Sequence, residues 1–218
     1  MNDNGLSYID LFAGAGGLSE GFIQSGYRPI AHVEMNEYAA KTIETRIAYY
    51  YLKENGNLDS YYQYERNEIS REQLLELIPD EELKTVINKE MLESTIKGIF
   101  QTIDTIIDEK EIEQVDVIIG GPPCQAYSLV GRAQSSHMLV PMEEDPRNEL
   151  YKMYVQFLNK YKPRMFVFEN VAGIKTARGG QAFKNLQKYM RKVGYEIDYH
   201  ELNAHDFGVL QSRKRVII

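Results

Sequence analysis

The sequence predicts an α/β fold with a mostly parallel sheet, helices on both faces and a helical insertion. Three observations predict it. A β-loop-α-β-α succession opens the chain, strand and helix alternation returns after residue 115, and residues 48–100 between them read as helical or irregular. Alternation of strands with helices is the pattern of a parallel sheet covered by helices.

In order, Ser7 to Phe12 is β-rich and stops at a Gly/Ala cluster. Leu18 to Gln24 reads as a helix closed by Gly26, and Ile30 to Glu34 as a short strand. From Glu37 to about Tyr51, Ala39, Ala40, Ile43 and Ile47 recur at helical spacing. Ala48 to Phe100, with Tyr49 to Tyr51 and Tyr61, Tyr62 and Tyr64, shows no convincing strand and is read as an insertion packed around its tyrosines. Val115 to Ile119 is a buried-type strand, and Gly120 to Pro146 is a long Gly-, Pro- and Ser-containing loop of the kind that carries function. Glu149 to Lys160 and Gln181 to Lys192 read as helices, and Met165 to Phe168, Tyr195 to Leu202 and Arg215 to Ile218 as strands. The last strand has barely begun where the sequence stops, so a fragment or one half of a split protein is expected.

Length and composition narrow the function. The 218 residues suit one domain of ordinary size. No apolar run is long enough for a transmembrane helix, and the N-terminus lacks the basic start of a secretory signal, so a cytoplasmic protein without a membrane partner is expected. A single cysteine excludes an internal disulfide and a Cys-rich metal site, and no metal is expected. The net charge of −7 speaks against a nucleic-acid binder, but its distribution is uneven. Lys53 to Gln114 holds 7 Lys and Arg against 16 Asp and Glu, whereas Arg147 to Ile218 holds 14 against 6. A basic C-terminal third permits a surface facing a polyanion.

Four motifs carry chemistry. Asp10 to Gly21 (DLFAGAGGLSEG) places glycines between the first strand and first helix, where the backbone can turn sharply and approach a ligand. Glu34 ends the second strand, the position that meets ribose hydroxyls in doubly wound sheets. The glycine spacing is not a clean G-x-G-x-x-G, so a nicotinamide cofactor is poorly supported. Gly120 to Ser128 (GGPPCQAYS) follows a strand, which places Cys124 at the carboxyl edge of the sheet, over the crevice expected at the Gly14 loop. Two prolines fix the chain before it, which favours a nucleophile over an inert buried thiol. Phe166 to Val171 (FVFENV) ends an apolar strand on an acid, Glu169. Burial of such a carboxyl disfavours its ionised form, and a neutral acid can donate a hydrogen bond at neutral pH. Gln211 to Arg215 (QSRKR) offers guanidinium forks for a base carbonyl or a phosphate.

These motifs, in this order, resemble the bacterial DNA (cytosine-5) methyltransferase family over nearly the whole chain except the insertion. The resemblance implies the Rossmann-like sheet of S-adenosylmethionine-dependent methyltransferases. It also implies S-adenosyl-L-methionine as methyl donor, S-adenosyl-L-homocysteine as product, and a cytosine flipped out of double-stranded DNA as substrate. Cys124 is implied as the nucleophile on C6, a neutral Glu169 as partner of N3, Arg215 as partner of O2, and Arg213 as a support of the loop or backbone. Phe12, Gly14 and Gly16 are implied around the methionine part of the cofactor, Glu34 at its ribose and Met35 against its adenine. Asp104, Pro122 and Leu150 complete the implied cofactor set, and Gln125, Ser128 and Asn170 belong to the substrate loop. Family members continue into a target-recognition domain, which is not in these 218 residues, so a second chain carrying that domain is a candidate partner. A role in a restriction-modification system follows from the same resemblance. The competing readings are an inactive S-adenosylmethionine-binding interaction module, a tRNA cytosine-5 methyltransferase and, more distantly, an NAD-dependent oxidoreductase.

Overall fold

The computed structural model describes residues 5–123 and 150–218. In chain order its elements begin with β1 (Ser7–Leu11), α1 (Gly17–Gln24), β2 (Arg28–Glu34), α2 (Glu37–Glu54), α3 (Leu58–Glu65), α4 (Arg71–Leu75) and α5 (Asp80–Leu83). They continue with β3 (Val86–Asn88), α6 (Ile96–Glu109), β4 (Val117–Gly120), α7 (Leu150–Tyr161), β5 (Met165–Asn170), α8 (Gln181–Lys192), β6 (His200–Asn203) and β7 (Lys214–Ile217). This is the expected mixed α/β class with mainly parallel strands. The chain divides into two compact units, Met1–Phe12 with Glu113–Ile218, and Ala13–Ile112.

In the first unit β1 and β4 pair in parallel, with Asp10 opposite Ile119, and β4 and β5 pair in parallel, with Gly120 opposite Phe168. β7 then runs antiparallel to both β5 and β6. β1 and β4 are buried along their whole length, which explains why neither shows the apolar–polar alternation of a half-buried strand. Tyr154 of α7 is wholly buried, and its hydroxyl lies 2.9 Å from the Ile118 carbonyl and 3.2 Å from that of Val167. One phenol thereby ties the helix to two neighbouring strands, and burial pushes its ionisation well above the ordinary phenol range. Gly120 is required beneath that ring. A Cβ there would stand 2.4 Å from the Leu11 carbonyl oxygen and 3.1 Å from Tyr154 Cε2.

In the second unit β2 and β3 pair in parallel, with Glu34 opposite Asn88. Asn36 starts α2, its side chain accepting from the Ala39 amide at 3.0 Å, and Ser70 and Gln73 close a capping box on α4. Ala48, Leu52, Leu74 and Ile78 form a small core, against which Tyr51, Tyr61 and Tyr64 pack. Packing is thus what these tyrosines do. Two expectations are corrected here. The stretch 48–100 does contain a strand, β3, and its expected limits Ala48 and Phe100 fall inside α2 and α6. Regular pairing of the strand expected from Tyr195 starts only at His200.

Candidate active site

In the second unit the chain after Phe12 is folded back on itself. Phe12, Gly14 and Gly16 all take positive φ, at 57°, 56° and 78°. Glycine holds such angles at no steric cost, while Phe12 holds one against its side chain. The Gly16 amide donates to the Ala13 carbonyl at 2.9 Å, and the Ala13 amide donates to the Val33 carbonyl at 3.1 Å. A Cβ placed on Gly14 or Gly17 would meet nothing within 4 Å, so this turn faces open space.

Glu34 is buried at the end of β2 and fixed by the main chain. The Gly14 amide donates to its Oε2 and the Asn36 amide to its Oε1, each at 2.7 Å. Each oxygen keeps acceptor capacity beyond the one amide it holds. Met35 beside it is 63% exposed, an apolar surface next to a fixed acceptor. Asn88, which sequence reading passed over, ends β3 in register with Glu34 and donates its side-chain amide to the Glu34 carbonyl at 2.9 Å. Its signal was the short Val-Ile run before it. Asp104 lies half-buried in the third turn of α6, on a helix body and not at the end of a strand.

In the first unit Glu169 and Asn170 end β5 next to the root of the Gly-Gly-Pro-Pro turn. Arg215 Nε donates to Glu169 Oε1 at 2.7 Å, and Arg213 approaches the same oxygen at 3.5 Å. Antiparallel pairing of β7 with β5 brings them there, since Glu169 stands opposite Ile217. A Cβ on Gly121 would come within 2.9 Å of Glu169 Oε2, so only glycine leaves that carboxylate its place. The buried Asn170 donates its amide to the Pro122 carbonyl at 3.3 Å and accepts from the Val171 amide at 2.9 Å. The motif expected to carry the acid and the Gly-Gly-Pro-Pro segment that leads to the expected nucleophile are therefore bonded to each other through Asn170 and Pro122.

The burial expected at position 169 is only partial: the Glu169 side chain is 22% exposed and ion-paired with Arg215. The reason is topological, because a sequence does not announce that its last strand will lie against the strand bearing the acid. Leu150 opens α7 and is half-buried. Cys124, Gln125 and Ser128 lie outside the described residues.

With this geometry in place, comparison with known proteins is specific. The family model for the C-5 cytosine-specific DNA methylase matches residues 6–73 and 80–218, and the chain belongs to that family. It is similar to the type II methyltransferase M.Bpa9945I of Bacillus paralicheniformis, with 37% identity over 237 residues covering 96% of this chain and 52% of that one. It is also similar to the type II methyltransferase M1.HphI of Haemophilus parahaemolyticus, with 29% identity covering 97% of this chain and 45% of that one. Among solved structures, an E. coli prophage-encoded protein assigned as a DNA modification methyltransferase superposes with a TM-score of 0.58 at 24% identity. That match covers 97% of this chain and 45% of the other, and bears on the fold. The chain thus spans about half the length of the curated relatives it matches.

The family implies S-adenosyl-L-methionine, and two observations fit it. The glycine turn leaves open space at Gly14 and Gly17, and Glu34 is held as an acceptor for hydroxyl donors.

Proposed function

We propose that this chain methylates C5 of cytosine in double-stranded DNA through a covalent bond between Cys124 Sγ and C6 of the base, within a restriction-modification system of the cytoplasm. The observation that carries the reading is the cluster beside the Gly-Gly-Pro-Pro segment that leads to Cys124. Glu169 is paired with Arg215 against Gly121, and Asn170 bonds the Pro122 carbonyl, two residues before the cysteine.

Cytosine C5 is a weak nucleophile. Addition of the Cys124 thiolate to C6 breaks the C5–C6 double bond and sends its electrons into the ring. Glu169 meets the charge that develops at N3 with a hydrogen bond or a proton, and Arg215 meets it at O2. The flipped base thereby takes over the partners that Glu169 and Arg215 now give each other. The electron-rich C5 is then ready for an electrophile. S-adenosyl-L-methionine supplies that electrophile when bound, a methyl group on a positively charged sulfur. Water then takes the C5 proton, which restores the double bond and expels Cys124 as thiolate, and any proton given to N3 returns to Glu169. Phe12, Gly14, Gly16, Glu34 and Met35 hold the cofactor in this reading, together with Pro122 and Leu150. Asp104 belongs to the same proposed set, and Asn88 stands beside Glu34 at the end of β3.

The −9 balance of residues 53–114 makes phosphate contact there unfavourable, so the basic C-terminal third takes that role. A second chain carrying a target-recognition domain is the partner this reading adds. Transfer of label from S-adenosyl-L-methionine to duplex DNA, with and without such a chain, tests the proposal. Cys124→Ser is expected to abolish transfer and to leave the cofactor dissociation constant within about twofold, a spread of about 0.4 kcal/mol. Label in tRNA and not in DNA, or full activity of Cys124→Ser, contradicts it.

A further inference from the structure

Behind the glycine turn of the second unit stands a brace that the reaction scheme does not use. Arg46, on α2, donates from Nε to the Ala15 carbonyl at 2.9 Å and from Nη1 to Glu20 Oε2 at 2.6 Å. Glu20, in the first turn of α1, also accepts from the Tyr50 hydroxyl at 2.6 Å and from Gln24 Nε2 at 2.7 Å. The stem of Arg46 packs against the turn as well, since a Cβ on Gly16 would lie 3.4 Å from its Cδ. The turn is therefore held at two points. Glu34 takes the Gly14 amide on one side, and Arg46 takes the Ala15 carbonyl on the other. The brace also borders an open cleft of about 1320 Å³ between α1, α2 and α3, which Tyr49, Tyr61 and Lys53 help to line.

We propose that Arg46 is a positioning residue for the cofactor: by tying the Ala15 carbonyl to Glu20 it holds the glycine turn in its ligand-ready shape before S-adenosyl-L-methionine arrives. The proposal rests on the cofactor reading of that turn given above. A carbonyl tied by a guanidinium cannot rotate towards the ligand side, and its peptide partner, the Gly16 amide, is kept on the Ala13 carbonyl. A preorganised turn spends none of the ligand's binding free energy on ordering. Lysine is a poor substitute, because one ammonium point charge does not reproduce the planar fork that reaches a carbonyl and a carboxylate together.

The test is calorimetric titration of S-adenosyl-L-methionine into the wild-type chain, Arg46→Ala, Arg46→Lys and Lys53→Ala, with a melting curve for each. Arg46→Ala is expected to raise the dissociation constant about tenfold, or about 1.4 kcal/mol. Arg46→Lys is expected to recover part of that loss. Lys53→Ala, in the same cleft with its ammonium 5.7 Å from the Tyr49 ring centre and no bond to the turn, should stay within about twofold, or about 0.4 kcal/mol. Hydrogen exchange at the Gly16 and Gly17 amides should quicken in Arg46→Ala, which a mere loss of melting temperature would not single out. Wild-type affinity in a folded Arg46→Ala chain overturns the inference alone, as does an equal loss in Lys53→Ala. If Arg46→Ala does not fold, Glu20→Gln and Arg46→Lys decide in the same way. A folded wild-type chain that binds no S-adenosyl-L-methionine overturns the cofactor reading and this inference with it.

Discussion

Glu34 and Glu169 are two acids near the carboxyl ends of strands, and they are held by opposite means. Glu34 accepts from two main-chain amides, of Gly14 and Asn36, and is buried. Glu169 is held by the side chains of Arg215 and Arg213 and is 22% exposed. Backbone partners cannot leave without refolding the turn, whereas a guanidinium can swing away on its stem. The first arrangement suits an acid that presents a fixed acceptor to a bound ligand. The second suits an acid that must exchange partners during a reaction. That difference agrees with the separate roles proposed for the two acids.

The sharpest way to break the comparison is at Glu169. Glu169→Gln keeps the shape but loses the carboxyl group that the proposed reaction uses, and methyl transfer at saturating cofactor is expected to fall on the order of 10²–10³-fold, the scale of losing one charge-stabilising group in a transition state. Cofactor affinity should hold. A variant with wild-type turnover would show that Glu169 only anchors Arg215. Glu34→Ala should do the reverse. Its cofactor dissociation constant is expected to rise about tenfold to a hundredfold, from the loss of about 1.5–3 kcal/mol of bonding to a charged group. Turnover at saturating cofactor should change little. Unaltered affinity would leave the Glu34 carboxylate as a loop clamp alone.

The smallest expected effect lies in the brace behind the glycine turn. Burial, and then the bond to Glu20, push the Tyr50 hydroxyl up to about 12. An unfolded chain ionises tyrosine near a pKa of about 10. The folded state therefore binds more protons between these values. The contribution of Tyr50 is complete below pH 10 and is lost as pH rises through about 12. Denaturant titrations at alkaline pH should show a shallower loss of stability in Tyr50→Phe than in the wild type. Parallel curves would remove Tyr50 from the brace.

Much of this was legible in the residues. The β1 run, the glycine turn, Glu34 at a strand end and the helical face of α2 follow from apolar spacing and turn chemistry, which act locally. What stayed hidden depends on long-range placement. β3 is three residues long between Thr85 and Lys89, too short for any periodicity to show. Arg46 reaches Ala15 across 31 positions, and Arg215 reaches Glu169 across 46. Such pairs follow from which helix covers which turn and which strand lies beside which, and neither is encoded in spacing. The reversal of β7 against β5 also explains why Glu169 is ion-paired with a residue so distant in sequence. Asn170 went the same way: its amide secures Pro122, a structural bond that reads in sequence only as part of a motif.

The central claim is a covalent bond from Cys124 to a cytosine whose N3 and O2 edge Glu169 and Arg215 hold. Duplex DNA with 5-fluorocytosine at every cytosine tests it directly, in the presence of S-adenosyl-L-methionine. Fluorine at C5 cannot leave as the proton does, so the adduct formed after methyl transfer cannot eliminate. A protein–DNA species that survives denaturation with the wild-type chain, and is lost in Cys124→Ser, is the predicted result. A folded chain that binds both cofactor and DNA yet yields no such species would contradict the account.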